Sequence, residues 1–191
     1  LAQGNPDHQI GAGSGTKEDH GDLVYLGNSN ARYLYGFNIS AQWKGFDFSM
    51  MFQGVGKRKI MIDAAAIAPF YTTYQMPWTI HRDYWTEDNQ DAFWPRLYDY
   101  KTNNGGENFN FRPSDKWVQD ASYLRLKNIT LGYTIPYTKK YVNSVRVYIT
   151  GNDIWEHSDL LKVFDPEAGN NVGRNYYPFF RTWAFGVNIT F

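Results

Sequence analysis

Residues 32–53 read RYLYGFNISAQWKGFDFSMMFQ, and large apolar side chains occupy every second position in two runs. The first run covers residues 33–43 and the second covers residues 46–52, and apart from Leu34 and Met51 the residues between the apolar ones are small or polar. A period of two places alternate side chains on opposite faces of a β-strand. Because only Lys44 and Gly45 separate the two runs, the stretch predicts a β-hairpin with a two-residue turn.

The same alternation returns three more times along the chain, including in its last residues, RTWAFGVNITF. The strands that it predicts lie near residues 32–43, 46–55, 121–136, 144–154 and 179–191. Short turns alternate with long segments of about residues 56–116 and 155–177. Long loops at one end of the strands and short turns at the other are typical of outer-membrane β-barrels. A soluble β-sandwich also has alternating strands and is the alternative.

Composition excludes several classes of protein. The chain has 191 residues, no cysteine, and 19 basic against 19 acidic residues, so neither a disulfide framework nor a basic nucleic-acid surface is expected. Phe, Trp and Tyr make up 18% of the residues. The four histidines are scattered and no nucleophile or metalloprotease motif is present, so we expect neither an enzyme nor a catalytic residue.

Five stretches carry a resemblance to a known family. They are ARYLYGFNISAQWKGFDFSMMFQGVGKR, DYWTEDNQDAFWPRL, WVQDASYLRLKNITLGYTIP, FDPEAG and FGVNITF. In this order they resemble the carboxyl-terminal part of the SusC/RagA-like TonB-dependent outer-membrane transporters, from about residue 27 to residue 191. The stretch DASYLRLKNITLGYTIP is the most specific of them.

The resemblance implies an all-β fold. It implies the carboxyl-terminal antiparallel strands of a large transmembrane β-barrel, of roughly 22 strands, with long extracellular loops. The plug domain of this family lies toward the amino terminus and is absent from residues 1–191. We therefore expect the chain to be the carboxyl-terminal segment of a longer polypeptide, whose remaining strands close the barrel.

The implied function is TonB-dependent import of oligosaccharides or peptides across the outer membrane of a Gram-negative bacterium. The implied partners are the rest of the same transporter, a SusD-like surface lipoprotein, the TonB system acting through the plug, and outer-membrane lipid, with no nucleic acid. The alternative is a secreted or surface β-sandwich that binds glycans. A barrel enzyme is a more distant alternative.

Aromatic residues in the first long segment are the candidates for substrate binding, because aromatic faces beside carboxylates and amides suit sugar rings. The candidates are Trp78, Trp85, Trp94 and Tyr98. The alternative is that these side chains pack the long loop against itself. The motif HRDYWTEDN favours this architectural role, which directs the search for binding toward residues 56–79 and 103–110.

Two further features concern a metal and assembly. Asp165, Glu167 and Asn170 offer oxygen ligands of the kind calcium takes, but their spacing is not that of an EF-hand. We therefore expect them to meet solvent or the lipoprotein lid, and we expect no metal or other cofactor. The terminal Phe191 resembles the carboxyl-terminal aromatic signal that the barrel-assembly machinery of the outer membrane recognises.

Overall fold

The structure is a computed structural model, and it contains seven strands and two short 3-10 turns in its described part. The described residues are 11, 13–62, 66, 68–71, 76–97, 111, 114–136, 141–168 and 179–191. The strands are β1 (Tyr33–Trp43), β2 (Phe46–Gly56), β3 (Lys59–Met61), β4 (Val118–Asp120), β5 (Tyr123–Ile135), β6 (Ser144–Ser158) and β7 (Thr182–Thr190). The 3-10 turns are Thr79–Arg82 and Asp115–Trp117.

Five long strands form one antiparallel sheet in the order β1-β2-β5-β6-β7. β3 and β4 form a separate two-stranded antiparallel sheet. The prediction of an all-β, antiparallel fold is therefore confirmed. The strand β6 extends four residues beyond the predicted end near residue 154, and the short pair β3–β4 has no counterpart in the predicted strands. No helix in the described ranges is long and apolar enough to span a membrane.

The turn between β1 and β2 explains why the first hairpin is tight. Lys44 has φ 47° and Gly45 has φ 88°, so both central residues lie at positive φ, as a type I′ turn requires. This turn matches the right-handed twist of the flanking strands. The backbone N–H of Thr134 donates to the carbonyl oxygen of Gly45 at 2.7 Å, which also joins the turn to β5.

The register of the sheet collects the alternating apolar side chains of all five strands on one face. Phe37 lies opposite Phe52, Leu131 opposite Ile149, and Ile149 in turn opposite Phe185. We call this the apolar face; its larger members are Tyr33, Tyr35, Phe37, Ile39, Trp43, Phe46, Phe48, Met50, Phe52, Leu126, Ile129, Leu131, Tyr133, Ile135, Val145, Val147, Ile149, Trp155, Trp183, Phe185, Val187 and Ile189. The opposite side of the sheet is the polar face.

The apolar face is unusually open to its surroundings. Many of its side chains keep between 38% (Val147) and 81% (Phe185) of their surface exposed. Ordinary soluble proteins rarely expose an apolar patch of this extent, and such a patch marks a surface that meets a membrane or a partner. The sheet is therefore not held together by a hydrophobic core against its apolar face.

Aromatic rings that lie over glycines fix the register at three positions in two strand pairs. Tyr35 covers Gly54 between β1 and β2, Trp183 covers Gly151 between β6 and β7, and Tyr148 covers Gly186 on the other side of the same pair. A Cβ added at any of these glycines would lie 3.0 Å or less from an atom of the ring. This cross-strand arrangement shields the bare backbone of a strand glycine and pins the pairing.

The apolar residues that are truly buried lie at the end of the sheet where the long segments leave it. We call this cluster the loop core; its buried members are Ile60, Ile62, Ala66, Ala68, Trp94, Phe111, Trp117, Ala121, Leu160 and Phe164. Leu160 and Phe164 come from the segment after β6, whereas the other members come from the segment between β2 and β5. The two long segments thus form one packed unit above one end of the sheet.

Candidate functional site

The polar face carries an ion pair that crosses three strands near the short turns. Arg146 of β6 reaches over Gly132 of β5 to Asp47 of β2, and its Nε donates to Asp47 Oδ1 at 2.8 Å. A Cβ at Gly132 would lie 2.5 Å from that carboxylate oxygen, so the glycine is what leaves room for the bridge. The guanidinium also lies 4.8 Å from the ring centre of Tyr148.

Amides and hydroxyls form a ladder further along the same face. Asn128 donates to Thr150 Oγ1 at 3.0 Å and to Asn152 Oδ1 at 2.9 Å, and the hydroxyls of Thr130 and Thr150 lie 2.9 Å apart. Asn152 in turn donates to the hydroxyl of Thr182 at 3.3 Å. Cross-strand hydrogen bonds therefore link these side chains along the polar face, which makes the face compatible with an aqueous or protein-filled interior.

Aromatic rings stacked on Trp117 build the centre of the loop core. Trp94 stacks on it with centroids 5.6 Å apart, and Phe111 does so from a second direction at the same distance. Trp117 is 1% exposed. His81 meets Trp94 edge-on at 4.6 Å, and its Nδ1 accepts a hydrogen bond from the backbone N–H of Trp78 at 2.8 Å. Each aromatic pair adds about 0.5–1.5 kcal/mol beyond the area it buries.

The motif DYWTEDNQDAFW closes on itself as a compact loop. Its ends are joined by the hydrogen bond from the backbone N–H of Trp85 to the carbonyl of Trp94, at 2.9 Å. The carboxylate of Asp83 accepts from the side chain of Asn89 at 3.1 Å and from the backbone N–H of Phe93 at 3.3 Å. The acidic and amide residues of this motif thus shape the loop, which agrees with the architectural role that the sequence favoured.

Arg125, on the polar face of β5, anchors the segment that follows β6. Its guanidinium pairs with Glu156, with Asp165 at 2.7 Å and with Glu167 at 2.9 Å, and its side chain is 3% exposed. Such a buried cation needs its counter-charges, because an unpaired charge there would be costly. Asp165 and Glu167 therefore fasten the FDPEAG stretch to the sheet, and Glu156 of the neighbouring β6 completes the pairing of the cation.

A bulge in β5 supplies a second anchor to the same stretch. In the pairing with β2, Met51 and Phe52 lie opposite Asn128 and Leu126, so Lys127 is the extra residue of β5, and it places its ammonium 2.8 Å from Asp153 and 3.3 Å from Glu167. Asp153 itself has φ 51°, as expected where an extra residue is accommodated. Arg58 adds a third contact by donating to the carbonyl of Pro166 at 2.8 Å.

These anchors alter the expectation for the loop carboxylates. Asp165 and Glu167 were expected to meet solvent or a lid, yet both are largely buried and paired with Arg125 and Lys127. Asn170 lies outside the described residues. Within the described ranges, no three His, Asp or Glu side chains are grouped so that they could hold a metal ion.

The four candidate aromatics have different surroundings. Trp94 is 3% exposed and packs in the loop core, whereas Trp78 is half-buried against that core, near Phe164. Trp85 lines an open pocket of about 420 Å³ together with Tyr84, Glu87, Arg96 and their neighbours Thr86 and Leu97. Tyr98 and residues 103–110 lie outside the described residues.

An ion pair closes the base of the loop core beside β3 and β4. Lys59 Nζ lies 3.0 Å from Asp120, and the backbone N–H of Ser122 donates to the same carboxylate at 2.9 Å. Desolvation raises the pKa of Asp120, but the hydrogen bonds from Ser122 and Lys59 outweigh it and hold that pKa below its usual value. Asp120 therefore stays ionised in neutral solution and ties β4 to β3.

Phe191 follows the last residue of β7 and is 80% exposed. Its position at the end of the apolar face leaves the ring accessible to another protein. Its role as an assembly signal stays a prediction.

Sequence patterns do not identify Trp117 and Arg125, two residues that join several segments at this end of the molecule. Arg125 follows the strand alternation and looks like any polar-face residue, because its partners Asp165 and Glu167 lie 40 and 42 positions away. Trp117 precedes the strand pattern by a few residues and carries no periodic signal. Only the tertiary fold shows that each is a centre of packing.

Three known proteins that are similar to this chain agree with an all-β segment of an outer-membrane receptor. The chain is 29% identical, over its full length, to TonB-dependent receptor P26 of Formosa agariphila, and it spans 21% of that receptor. It is 36% identical over 41% of its length to TonB-dependent receptor SusC of Bacteroides thetaiotaomicron, spanning 8% of it. In a structure described as the RagAB peptide transporter, a chain matches 82% of this one with a TM-score of 0.61 and 26% identity.

The chain thus spans about a fifth of the first of these relatives. No protein-family model matches it. The relatives are named as receptors and as a transporter, which agrees with the prediction that this chain is not an enzyme. The resemblance seen in the sequence is confirmed as well: the chain is similar over its full length to a segment of a TonB-dependent receptor, over 41% of it to SusC, and over 82% of it in fold to a segment of a RagAB chain, which supports a fragment of a SusC/RagA-like TonB-dependent transporter.

Proposed function

We propose that this chain forms part of the wall and extracellular loops of an outer-membrane importer. In this proposal the apolar face meets lipid, the polar face lines the interior of a large barrel, and the free edges of β1 and β7 pair with further strands. The loop core then stands on the extracellular side. A SusD-like lipoprotein covers the mouth, and energy reaches the transporter from TonB through a plug.

One observation carries the proposal: the apolar face is continuous across five strands and exposed, while the polar face is bridged by hydrogen bonds and an ion pair. A lipid bilayer accepts the first face and excludes the second. Transmembrane β-barrels combine these two faces in this way, with the polar residues turned inward.

The spacing of aromatic residues along β1 supports the same orientation. Tyr33 and Trp43 begin and end the strand, ten residue steps apart. At a rise of about 3.3 Å per residue this is about 33 Å along the strand, and a tilt of about 40° projects it to about 25 Å. That height equals the apolar band between the two aromatic girdles of outer-membrane barrels.

The β-sandwich alternative needs a second sheet over the apolar face. In the described part of the chain the only other sheet is the three-residue pair β3–β4, which belongs to the loop core. A sandwich core would bury the residues that are exposed here, such as Phe185 and Val187. The exposure of these side chains favours the barrel.

Solubility separates the two alternatives directly. The protein purified from outer membranes should require detergent or lipid to remain monodisperse in size-exclusion chromatography with light scattering. Aggregation after detergent removal would agree with the barrel. A monodisperse, folded protein in plain buffer would contradict it.

For the substrate, oligosaccharides and peptides remain the two classes proposed, and the RagAB neighbours described as peptide importers favour peptides. Among the candidate aromatics, the accessible Trp85, next to Glu87 and Arg96, suits a peptide backbone with its charged ends. No resident cofactor is proposed, since Asp165 and Glu167 are occupied by cationic side chains.

Isothermal titration of the transporter with defined peptides and oligosaccharides tests this choice. The variant Trp85→Ala should weaken binding of the favoured class while the thermal unfolding of the protein is retained. Tyr25→Ala, which removes another exposed aromatic outside that pocket, is the control. Unchanged binding by Trp85→Ala would exclude the pocket, and tighter binding of oligosaccharides than of peptides would reverse the choice of class.

A further inference from the structure

We propose that an anionic membrane phospholipid binds at the loop end of β1, where two cations flank an exposed aromatic ring. This inference rests on the lipid-facing orientation proposed above. The guanidinium carbon of Arg32 lies 5.9 Å from the ring centre of Tyr33, and the ammonium of Lys57 lies 5.7 Å from the same centre. Tyr33 belongs to the apolar face, so both cations stand at its rim.

A pocket of about 500 Å³ opens beside this ring. Its walls include Tyr25, Leu26, Arg32, Lys57, Lys59 and Asp120. The segment that forms one wall is held in place by hydrogen bonds to two of its carbonyl groups. The backbone N–H of Lys59 donates to the carbonyl of Asn28 at 2.9 Å, and the side-chain Nε of Arg58 donates to the carbonyl of Ser29 at 3.1 Å. The pocket is therefore built from fixed parts of the fold.

Two of the three cations that line the pocket are available to bind an anionic ligand. Lys59 is already paired with Asp120 at 3.0 Å. Arg32 and Lys57 have no carboxylate partner within the ranges that the structure describes. A phosphate group complements them, because a guanidinium donates to it through a planar fork and an ammonium acts as a point charge.

Next to these cations the chain presents an apolar run. Residues 23–26 read LVYL, and the side chains of Val24 and Tyr25 are 75% and 84% exposed. Four successive apolar residues on the surface are unusual in water. Beside a phosphate site at the membrane interface, they offer contact to the acyl chains of the same molecule. The combination selects an amphiphile and not a free anion.

The opposite end of the sheet provides an internal comparison. There the ammonium of Lys44 lies 5.1 Å from the ring centre of Trp43, so a cation also borders the aromatic girdle. The pocket described above does not include it, and within the described ranges Lys44 is the only cation recorded over this ring. The lipid site is therefore assigned to the loop end alone.

Native mass spectrometry of the detergent-solubilised transporter tests this assignment. Phosphatidylglycerol is titrated against the protein, with phosphatidylcholine and inorganic phosphate as separate arms. The test variant is Arg32→Gln with Lys57→Gln. The matched control removes the same charge elsewhere, through Lys44→Gln with Lys162→Gln. Thermal unfolding of each variant in detergent verifies that it is folded.

The expected result is that phosphatidylglycerol binds the test variant about tenfold or more weakly than the parent and the control, since each cation near a headgroup adds to the affinity. Equal affinity of the test variant and the parent would overturn the proposal. So would equally tight binding of phosphatidylcholine, or displacement of phosphatidylglycerol by an equal concentration of inorganic phosphate.

The failure of this inference is distinguishable from failure of the proposed function. A protein that needs no detergent and retains no lipid of any kind would remove the barrel orientation itself. A protein that needs detergent and retains lipid, but with equal affinity in all variants, would remove only the site at Arg32 and Lys57.

Discussion

The sheet and the loop core place their hydrophobic residues in opposite environments. In the loop core, Trp117 and Ile60 are buried almost completely among other side chains. On the apolar face of the sheet, Phe185 and Trp183 keep most of their surface exposed. Both regions are rich in aromatics, so composition alone does not distinguish them. The two regions differ in their surroundings: the loop core packs against other side chains, whereas the apolar face is exposed.

This difference separates two sources of stability. The loop core gains from the hydrophobic effect in water, at about 1.5–3 kcal/mol for each large side chain that is fully buried. The sheet gains little in this way and depends on its hydrogen-bond ladders, on the aromatic rings over glycines, and on a non-aqueous surrounding. The loop core is expected to respond to cavities, whereas the sheet is expected to respond to charge on one face.

The largest effect is expected from a cavity in the loop core. Trp117→Ala removes the ring on which Trp94 and Phe111 stack, at a cost of about 3–5 kcal/mol to the local unfolding free energy. Hydrogen exchange should rise at Ile62, whose N–H donates to the carbonyl of Trp117 at 3.0 Å, while β5 and β6 stay protected. The exposed Trp43→Ala is the control. Equal loss of protection in the sheet would show that the two regions unfold as one unit.

The next effect concerns the two faces of one strand. Phe185→Arg places a charge on the apolar face near the middle of β7 and should cost about 2–4 kcal/mol of unfolding free energy in lipid vesicles. Ala184→Arg introduces the same charge at the same depth on the polar face and should cost far less. Urea unfolding in vesicles measures both. Similar costs for the two variants would contradict the assignment of the faces.

A smaller effect is expected at the junction of the two regions. Arg125→Gln leaves Asp165 and Glu167 without their shared cation, at a cost of about 2 kcal/mol, below the range of about 3–5 for fully buried pairs because Glu156 keeps contact with water. Hydrogen exchange in residues 159–168 should rise more than in the Lys162→Gln control. Unchanged exchange there would mean that the anchor is dispensable.

The smallest effect concerns the register of the sheet. Gly186→Ala directs a Cβ into the ring of Tyr148 and should cost about 1 kcal/mol, since the ring must rotate away. In a Tyr148→Ala background the same change should cost less, because the collision is gone. A double-mutant cycle by urea unfolding gives the coupling. Additive effects would show that the ring does not pin the strand.

Strand positions and faces could be predicted from the sequence because they depend on local period alone. Phe37, Phe52, Leu131 and Phe185 obey a rule that needs only each residue's neighbours. The two positions of the first turn, Lys44 and Gly45, followed from the length of the connection. The alternation alone does not distinguish an outer-membrane barrel from a soluble β-sandwich. The family motifs are what favour the barrel.

The loop core and its anchors could not be predicted in this way. Trp94 was a candidate for binding because an aromatic residue in a long loop looks the same whether it packs or is exposed. Its burial depends on Trp117, 23 positions further along. Likewise, Asp165 looked like a solvated or lid-facing carboxylate, and only the fold places it 2.7 Å from Arg125. Contacts between residues far apart in the chain do not produce a periodic pattern in the sequence.

Lipid accessibility along β7 tests the central claim most directly. Residues 1–191 contain no cysteine, so single cysteines introduced from Trp183 to Ile189 are the only labelling sites in this part of the transporter. In lipid vesicles, we expect the spin labels at positions 183, 185, 187 and 189 to collide frequently with oxygen dissolved in the bilayer. Labels at the positions between them should collide with oxygen rarely. Accessibility to a water-soluble nickel complex should alternate in the opposite phase or stay low throughout. Oxygen accessibility without a period of two, or highest at positions 184, 186 and 188, would contradict the proposal that the apolar face meets lipid.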